Sequence, residues 1–434
     1  MAVSWLGRLA ARAPVPVFPA LGVSGDAVLR HLALTPGIEW VDSPRHASVL
    51  LVAGGVPIDQ HEALRRVHDQ LPAPFASVWF RTEPFEELLS ATRVDGLDDL
   101  PGALCAVYRE LMQGRRGSSP RLLPDEPPNP WEGRGDFGQG GEGMMGGVPY
   151  GRPMAMNMHD DIRDGLTLDS LTFTLGPFLP ALPPGMSAQV TLQGDLVQSW
   201  TTQSAPHPLG LEAVFFAARQ QPVPIAELEL ARARHHLRHM YHGLRLAGLE
   251  SAGLHALRLA NTLTVDSRID GLRRMLMRCG FFGLAMTASG ALDAERARRI
   301  GGPAARAAGI DDDLRSEDAH YRRLGFSTVC QREGDTRARW WQLLAEIDQS
   351  LVLARRAVRE DIHTQATDVE TPRGRWDEQR PEDASYLLDG LLPGLEWGEA
   401  LAAIASLELA AVSEWPLDAW TSEPHAASPK ERRA

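Results

Sequence analysis

Apolar residues recur along this chain with two different periods, and the periods divide it into regions. Val49 to Ala53 is an unbroken apolar run stopped by Gly54-Gly55, the pattern of a fully buried strand ended by a turn. Ala76 to Phe80 is a second such run, and Leu100 to Met112 has helical spacing. Short buried strands alternating with helices predict a small α/β domain with a parallel sheet over residues 14–115. Further on, Leu171 to Leu175 alternates apolar and polar positions, and the runs 189–192 and 196–200 flank Gln193-Gly194-Asp195, a hairpin signal. From Glu227 to about Arg359 the period becomes helical. Leu230, Ala233, Leu237, Met240 with Tyr241, and Leu244 share one face, and a second long helix is predicted over Asp335 to Val358. Residues 165–415 therefore predict an α+β domain with a β-hairpin region and a helical bundle. Residues 116–164, with Pro124 to Pro130 and Gly133 to Gly147, predict a linker unable to bury enough apolar area to fold alone. Residues 416–434 are polar and predict a flexible tail.

Composition narrows the class. The 434 residues, 44% apolar and 23% charged, suit two or three globular domains. A net charge of -12 excludes a dominant electrostatic attraction to nucleic acid or anionic lipid. The three cysteines, Cys105, Cys279 and Cys330, are scattered, which predicts a reducing compartment and no four-thiolate site from this chain alone. The first dozen residues hold no apolar run of signal-peptide length. The apolar segment from Leu395 to Val412 is broken by Glu396, Glu399 and Glu408, short of the roughly 20 apolar residues that span a bilayer. Any membrane attachment is expected through partner subunits.

Four stretches then carry a resemblance. They are Ser43 to Val56, Gly176-Pro177-Phe178-Leu179-Pro180-Ala181 with the hairpin that follows, Gly302-Pro303 through Arg306, Asp313-Leu314-Arg315 and Tyr321, and Gly334-Asp335 through Glu346 and Ser350 followed by Glu370-Thr371-Pro372-Arg373-Gly374. In this order they resemble the small and large subunits of complex I and the group 4 nickel–iron hydrogenases, fused in one chain. The large-subunit part is similar to the 49-kDa type. The resemblance implies an α/β small-subunit-like domain followed by an α+β large-subunit-like domain. It also implies a place among the peripheral subunits of an antiporter-like, complex I-like assembly, with membrane subunits as partners, on the inner face of the cell membrane.

The departures from the family matter as much. A small subunit holds its iron–sulfur cluster with a Cys-x-x-Cys pair after the first strand; here Val23 and Asp26 stand at those positions. Valine is no ligand, and a carboxylate is a hard donor at a soft site. No Cys-x-x-Cys that could hold nickel and iron occurs anywhere. Where complex I has a quinone-facing histidine, this chain has Leu179, which can neither give nor take a hydrogen bond. The resemblance makes Leu179 and His242 the quinone-cavity equivalents, and residues 204–221 lack the family's quinone-facing tyrosine. Neither an iron–sulfur cluster nor a nickel–iron centre is expected in this chain. The expected role is structural and coupling, with a quinone-linked oxidoreductase subunit as the alternative.

Helical spacing also puts His235, His239 and His242 on one face, so a metal site is a third reading, set against a polar packing face. Asp311-Asp312-Asp313 reads first as a helix cap. Arg306, Asp313, Arg315 and Arg373 are expected in structural or interface roles, with Asp313 and Arg315 in a salt bridge at a subunit interface. Met144, Met145, Met154, Met156 and Met158 read as linker packing rather than a soft-metal track.

Overall fold

The computed structural model describes residues 5–124, 170–285, 288–365 and 367–417. Most of the expected linker, the methionines within it and nearly all of the expected tail lie outside the described residues.

The first half is built on one sheet. Helix α1 (Trp5–Ala10) leads into β1 (Val15–Leu21), α2 (Asp26–Leu32), β2 (Ile38–Trp40), β3 (Val49–Ala53), α3 (His61–Asp69), β4 (Ala76–Phe80), β5 (Thr92–Val94) and α4 (Leu100–Met112). The strands run parallel in the order β2-β1-β3-β4-β5. This is a doubly wound sheet, with both faces covered by crossover helices, so β3 and β4 are buried along their whole length. Val17, Val49, Leu51 and Val78 pack under α2 and α4. Phe18, Leu50, Val52 and Trp79 pack on the other face with Leu64 of α3. The chain stays on this domain past residue 115, because the Asp69 carboxylate accepts the N–H groups of Leu122 and Leu123.

The second half opens with a three-stranded antiparallel sheet, β6 (Ser170–Leu175), β7 (Ser187–Gln193) and β8 (Leu196–Ser204), in the order β6-β7-β8. Gly194 makes the β7–β8 turn at φ 60°, where a Cβ would be strained. Helices α5 (Ala213–Ala218), α6 (Ile225–Leu246), α7 (Glu250–Asn261), α8 (Asp270–Arg278), α9 (Ala294–Ile300), α10 (Gly302–Ala307), α11 (Ala319–Arg323) and α12 (Thr336–Glu360) follow. The ribbon of β9 (Val369–Thr371) and β10 (Gly374–Trp376), then α13 (Trp397–Ala405), close the fold.

The centre of this half is the pair α6 and α12. Asp335 caps α12 by accepting the N–H of Ala338 at 2.7 Å, and Asp361 ends it in the left-handed region at φ 50°. Gly243 lets the helices approach closely, since a Cβ there would sit 2.2 Å from the Trp340 ring. Ala233, Leu237, Met240 and Leu244 meet Leu344, Ile347 and Leu351 in their shared core. Among the described residues no helix is long and apolar enough to cross a membrane.

The two halves touch. Phe178, in the connection between β6 and β7, enters the apolar cluster of the parallel sheet. Arg245 of α6 pairs with Asp42 at 2.7 Å, and Gln60 donates to the Gly185 carbonyl at 3.4 Å.

Candidate functional site

In a sheet of order 2-1-3-4-5, ligands bind outside the carboxyl ends of the strands where the order reverses, here between β1 and β3. The loop after β1, Gly22 to Asp26, and the turn after β3, Gly54-Gly55, form that rim. The chain's own backbone fills it. Gly22 N–H donates to the Ala53 carbonyl and Val23 N–H to the Gly55 carbonyl, both at 2.8 Å. A Cβ on Gly25 would lie 2.2 Å from the Ala53 oxygen, and one on Gly54 2.2 Å from the Val23 oxygen. Val23 and Asp26 sit in this closed loop. No cysteine lies in it, and the donor set does not fit a four-thiolate cluster. Cys105 is on α4, partly buried against the sheet core.

Asp26 faces the second half. It is ion-paired with Arg30 one turn along α2, and burial, which raises its pKa, is outweighed by Arg30 and then by His242. His242, half-buried at the seam, is pushed down to about 3, first by burial and then by Arg30. Two residues singled out separately from sequence, Asp26 and His242, are thus electrostatic neighbours. Leu179 goes elsewhere, into the hairpin core beside Val190, Val197 and Ile404. Gln60 Oε1 and His207 Nε2 are buried without hydrogen-bond partners, and His207 is held low by burial despite Asp26 and Asp59.

The histidine stripe of α6 divides. His235 Nε2 lies 2.6 Å from Glu408 Oε1, and His239 Nδ1 lies 3.6 Å from the same oxygen while its Nε2 donates to the Ala405 carbonyl at 2.7 Å. Burial raises the Glu408 pKa, but His235 and His239 overcome it and hold the carboxyl well below its usual range. His242 serves the seam instead. Among the described residues, no three His, Cys, Asp or Glu side chains are placed to hold a metal ion.

The most heavily charged region lies between α6, α10, α12 and β9. Arg306 of α10 grips Glu346 of α12 with two bonds of 2.8 and 3.1 Å, and reaches Glu370 of β9 at 2.8 Å and Asp313 at 3.3 Å. Arg315 grips Asp313 with bonds of 2.9 and 2.7 Å and reaches Glu229 of α6 at 3.1 Å. Glu229 also accepts from Tyr321 at 2.8 Å and Ser350 at 2.6 Å, with Arg232 at 3.4 Å. Asp313 caps the short 3₁₀ turn 314–316, so part of the acidic triplet does act as a cap. Asp313 and Arg315 are within 2% of full burial inside this chain, so their pair is internal and not on an exposed face as an interface role requires.

Three arginines here face four carboxylates, and no solvent screens them. The pKa values follow. Glu229, Asp313 and Glu346 are held below their usual range by the arginines in spite of burial. Glu370, the odd carboxylate, is pushed up to about 7 by burial and by Asp313. His236, whose two nitrogens lack hydrogen-bond partners and which lies 3.3 Å from Glu346, is lowered to about 4 by burial.

Next to this network a cavity of about 20 Å³ is lined by His239, Gly301, Arg339, Arg373, Ser406 and Glu408 among others. Arg373 donates to the carbonyls of Ile300, Ala410 (3.3 Å) and Glu382 (3.2 Å), tying the α9–α10 corner to the C-terminal segment. Neither Leu179 nor His242 lines it.

Sequence reasoning reached Arg306, Asp313, Arg315 and Arg373 but passed over Glu229, Arg232 and His236. Their spacing of three and four was the available signal, since it places three polar residues on one stripe of a helix already apolar on another.

This buried ionic frame falls inside the segment that matches a known family. Residues 216–385 match the model described as respiratory-chain NADH dehydrogenase, 49 Kd subunit. The likeness to that family thus lies within the helical half of the chain. No curated protein sequence matches the chain. Among solved structures, a chain of the membrane-bound sulfane sulfur reductase, an archaeal respiratory membrane complex, is 17% identical with a TM-score of 0.43, covering 55% of this chain and 96% of that one.

Proposed function

We propose that this chain is a peripheral subunit of a complex I-like membrane complex, in which it works as scaffold and coupling element without a redox centre of its own. The carrying observation is the contrast between the segment matching the 49 Kd model, which holds the buried Arg306–Glu346–Glu370 network, and a closed loop at Val23 to Asp26. A subunit that has kept its frame while filling its ligand crevice is suited to docking rather than electron transfer. The α/β half is read as small-subunit-like, which makes the chain a fusion. Tethering two units that pack together raises their effective concentration. The partners on this reading are membrane subunits and other peripheral subunits. The chain is placed on the inner face of the membrane, held there by those partners.

The test is iron, nickel and EPR analysis of the full chain after anaerobic purification, with co-purification from detergent-solubilised membranes. The expected result is no stoichiometric metal and recovery with membrane subunits. A stoichiometric cluster signal overturns the reading. A quinone-linked subunit is the second reading, favoured by Asp26, Arg30 and His242 meeting at the seam. It requires a quinone analogue to protect seam residues in the assembled complex.

A further inference from the structure

An unguarded strand at the edge of a sheet invites another chain, and folded proteins blunt such edges with short strands, charges, proline or a covering segment. The two larger sheets of this molecule have four outer edges, and three are blunted or covered. In the parallel sheet, β2 and β5 are three residues each. β2 carries Glu39, and β5 carries Arg93, which is ion-paired with Glu83 and Asp95. In the antiparallel sheet the outer edge of β8 is covered. Val197 N–H donates to the Leu395 carbonyl at 2.9 Å, Gly394 N–H to the Val197 carbonyl at 2.8 Å, and Thr202 N–H to Asp389 Oδ1 at 2.9 Å.

The fourth edge is β6. All six of its residues, Ser170-Leu171-Thr172-Phe173-Thr174-Leu175, pair with β7 in one unbroken register. The strand holds no charge and no proline. Among the described residues nothing pairs with its other edge. The backbone N–H and C=O groups of alternate residues therefore point outward. Leu171, Phe173 and Leu175 share one face of the strand. Phe173 and Leu175 pack half-buried against the hairpin core, whereas Leu171 is 60% exposed. The apolar row is covered at one end and bare at the other.

We propose that the outer edge of β6 takes up an extended segment of a partner subunit, which adds a fourth strand to this sheet. The edge selects the class of occupant. A row of outward N–H and C=O groups is matched by the backbone of an extended strand, and not by a helix, whose own backbone groups are satisfied internally. The face made by Leu171, Phe173 and Leu175 calls for apolar residues at alternate positions of that segment. The inference rests on the subunit reading above, since it needs a partner chain, and it adds the place and the form of one contact.

Hydrogen–deuterium exchange of the full chain, alone and in the complex purified from detergent-solubilised membranes, tests this. In the dilute chain alone, the outward amides of residues 170–175 should exchange at least about tenfold faster than those of β7. In the complex they should slow to the rate of β7. Leu171→Lys sets a charge on the edge at an exposed position. It should leave the melting temperature unchanged and lower the recovery of the partner, while Leu171→Thr, which adds no charge, retains it. Slow exchange in the chain alone means that the chain covers its own edge, and protection that grows with its concentration means that a second copy does. Either result overturns the proposal. Recovery with membrane subunits while residues 170–175 still exchange freely overturns this proposal alone. No recovery of membrane subunits overturns the subunit reading and this proposal with it. If Leu171→Lys does not fold, exchange in the unmodified protein decides.

Discussion

The two halves of this molecule are buried to similar depth, but the helical half adds a buried ionic network to its apolar core. The core of the parallel sheet is aliphatic and aromatic, with Val49 to Ala53 and Val78 fully inaccessible. The helical half places Arg306, Arg315, Glu229, Glu346 and Glu370 at the same depth. An apolar core responds to volume and barely to charge or pH. An ionic core depends on balance, because removing one member strands the others in a low dielectric.

The largest effect should come from upsetting that balance. Arg306→Met leaves Glu346, Glu370 and Asp313 facing one another, and should cost about 3–5 kcal/mol in urea unfolding of the helical half. A cost below about 1 kcal/mol would show that the network is not what secures this half. In the other half, the loop between β1 and β3 is limited by space. Gly25→Ala drives a Cβ to 2.2 Å from the Ala53 carbonyl, a backbone atom that cannot step aside. A loss of about 1–3 kcal/mol with no change in pH response is expected. A neutral outcome would mean that the rim between β1 and β3 is looser than described.

Next in size is the pH response of the odd carboxylate. The folded-state pKa of Glu370, about 7, stands above the ordinary value of 4.5. A carboxyl raised in this way binds a proton more tightly folded than unfolded. Its contribution is therefore full below about 4.5 and is lost as the pH climbs through 7. Wild type should lose stability relative to Glu370→Gln as pH rises from 5 to 8, by on the order of 1–2 kcal/mol. Parallel stability curves for the two proteins would place the proton elsewhere. The smallest effect should be at the seam. Asp42, paired with Arg245 at 2.7 Å, is 75% exposed, so Asp42→Ala should cost less than about 1 kcal/mol, and less still in high salt.

Much of the fold was legible because its signals are local. The predicted strands at 49–53 and 76–80 and the helix at 100–112 coincide with β3, β4 and α4. The hairpin at 193–195 is β7–β8, and the two long helices are α6 and α12. Period and turn chemistry act within a few residues of each other, so a single chain displays them. The candidate site was legible only in part. Asp26 and His242 were noticed for separate reasons, and nothing in the sequence says that α2 and α6 bring them together. The histidine stripe was correctly placed on one helix, yet Glu408 claims two of its members from the far end of the chain. Glu229 and Arg232 were overlooked because polar residues on a helix look like a solvated face until a second helix covers them.

The sequence by itself determined the alternation of elements, the boundary between a parallel-sheet half and a helical half, and the presence of valine and aspartate, not cysteine, at positions 23 and 26. These are properties of neighbouring residues and of side-chain chemistry. Only the tertiary structure decided which charges share an interior, because Arg306, Glu346 and Glu370 are separated by 40 and 64 positions and meet solely through packing. The same packing set two other arginines, Arg339 and Arg373, beside a small cavity that Glu408 also lines, with their hydrogen bonds going to neutral acceptors. Burial turns such placements into consequences, since the energy of a charge depends on what surrounds it and not on what precedes it in the chain.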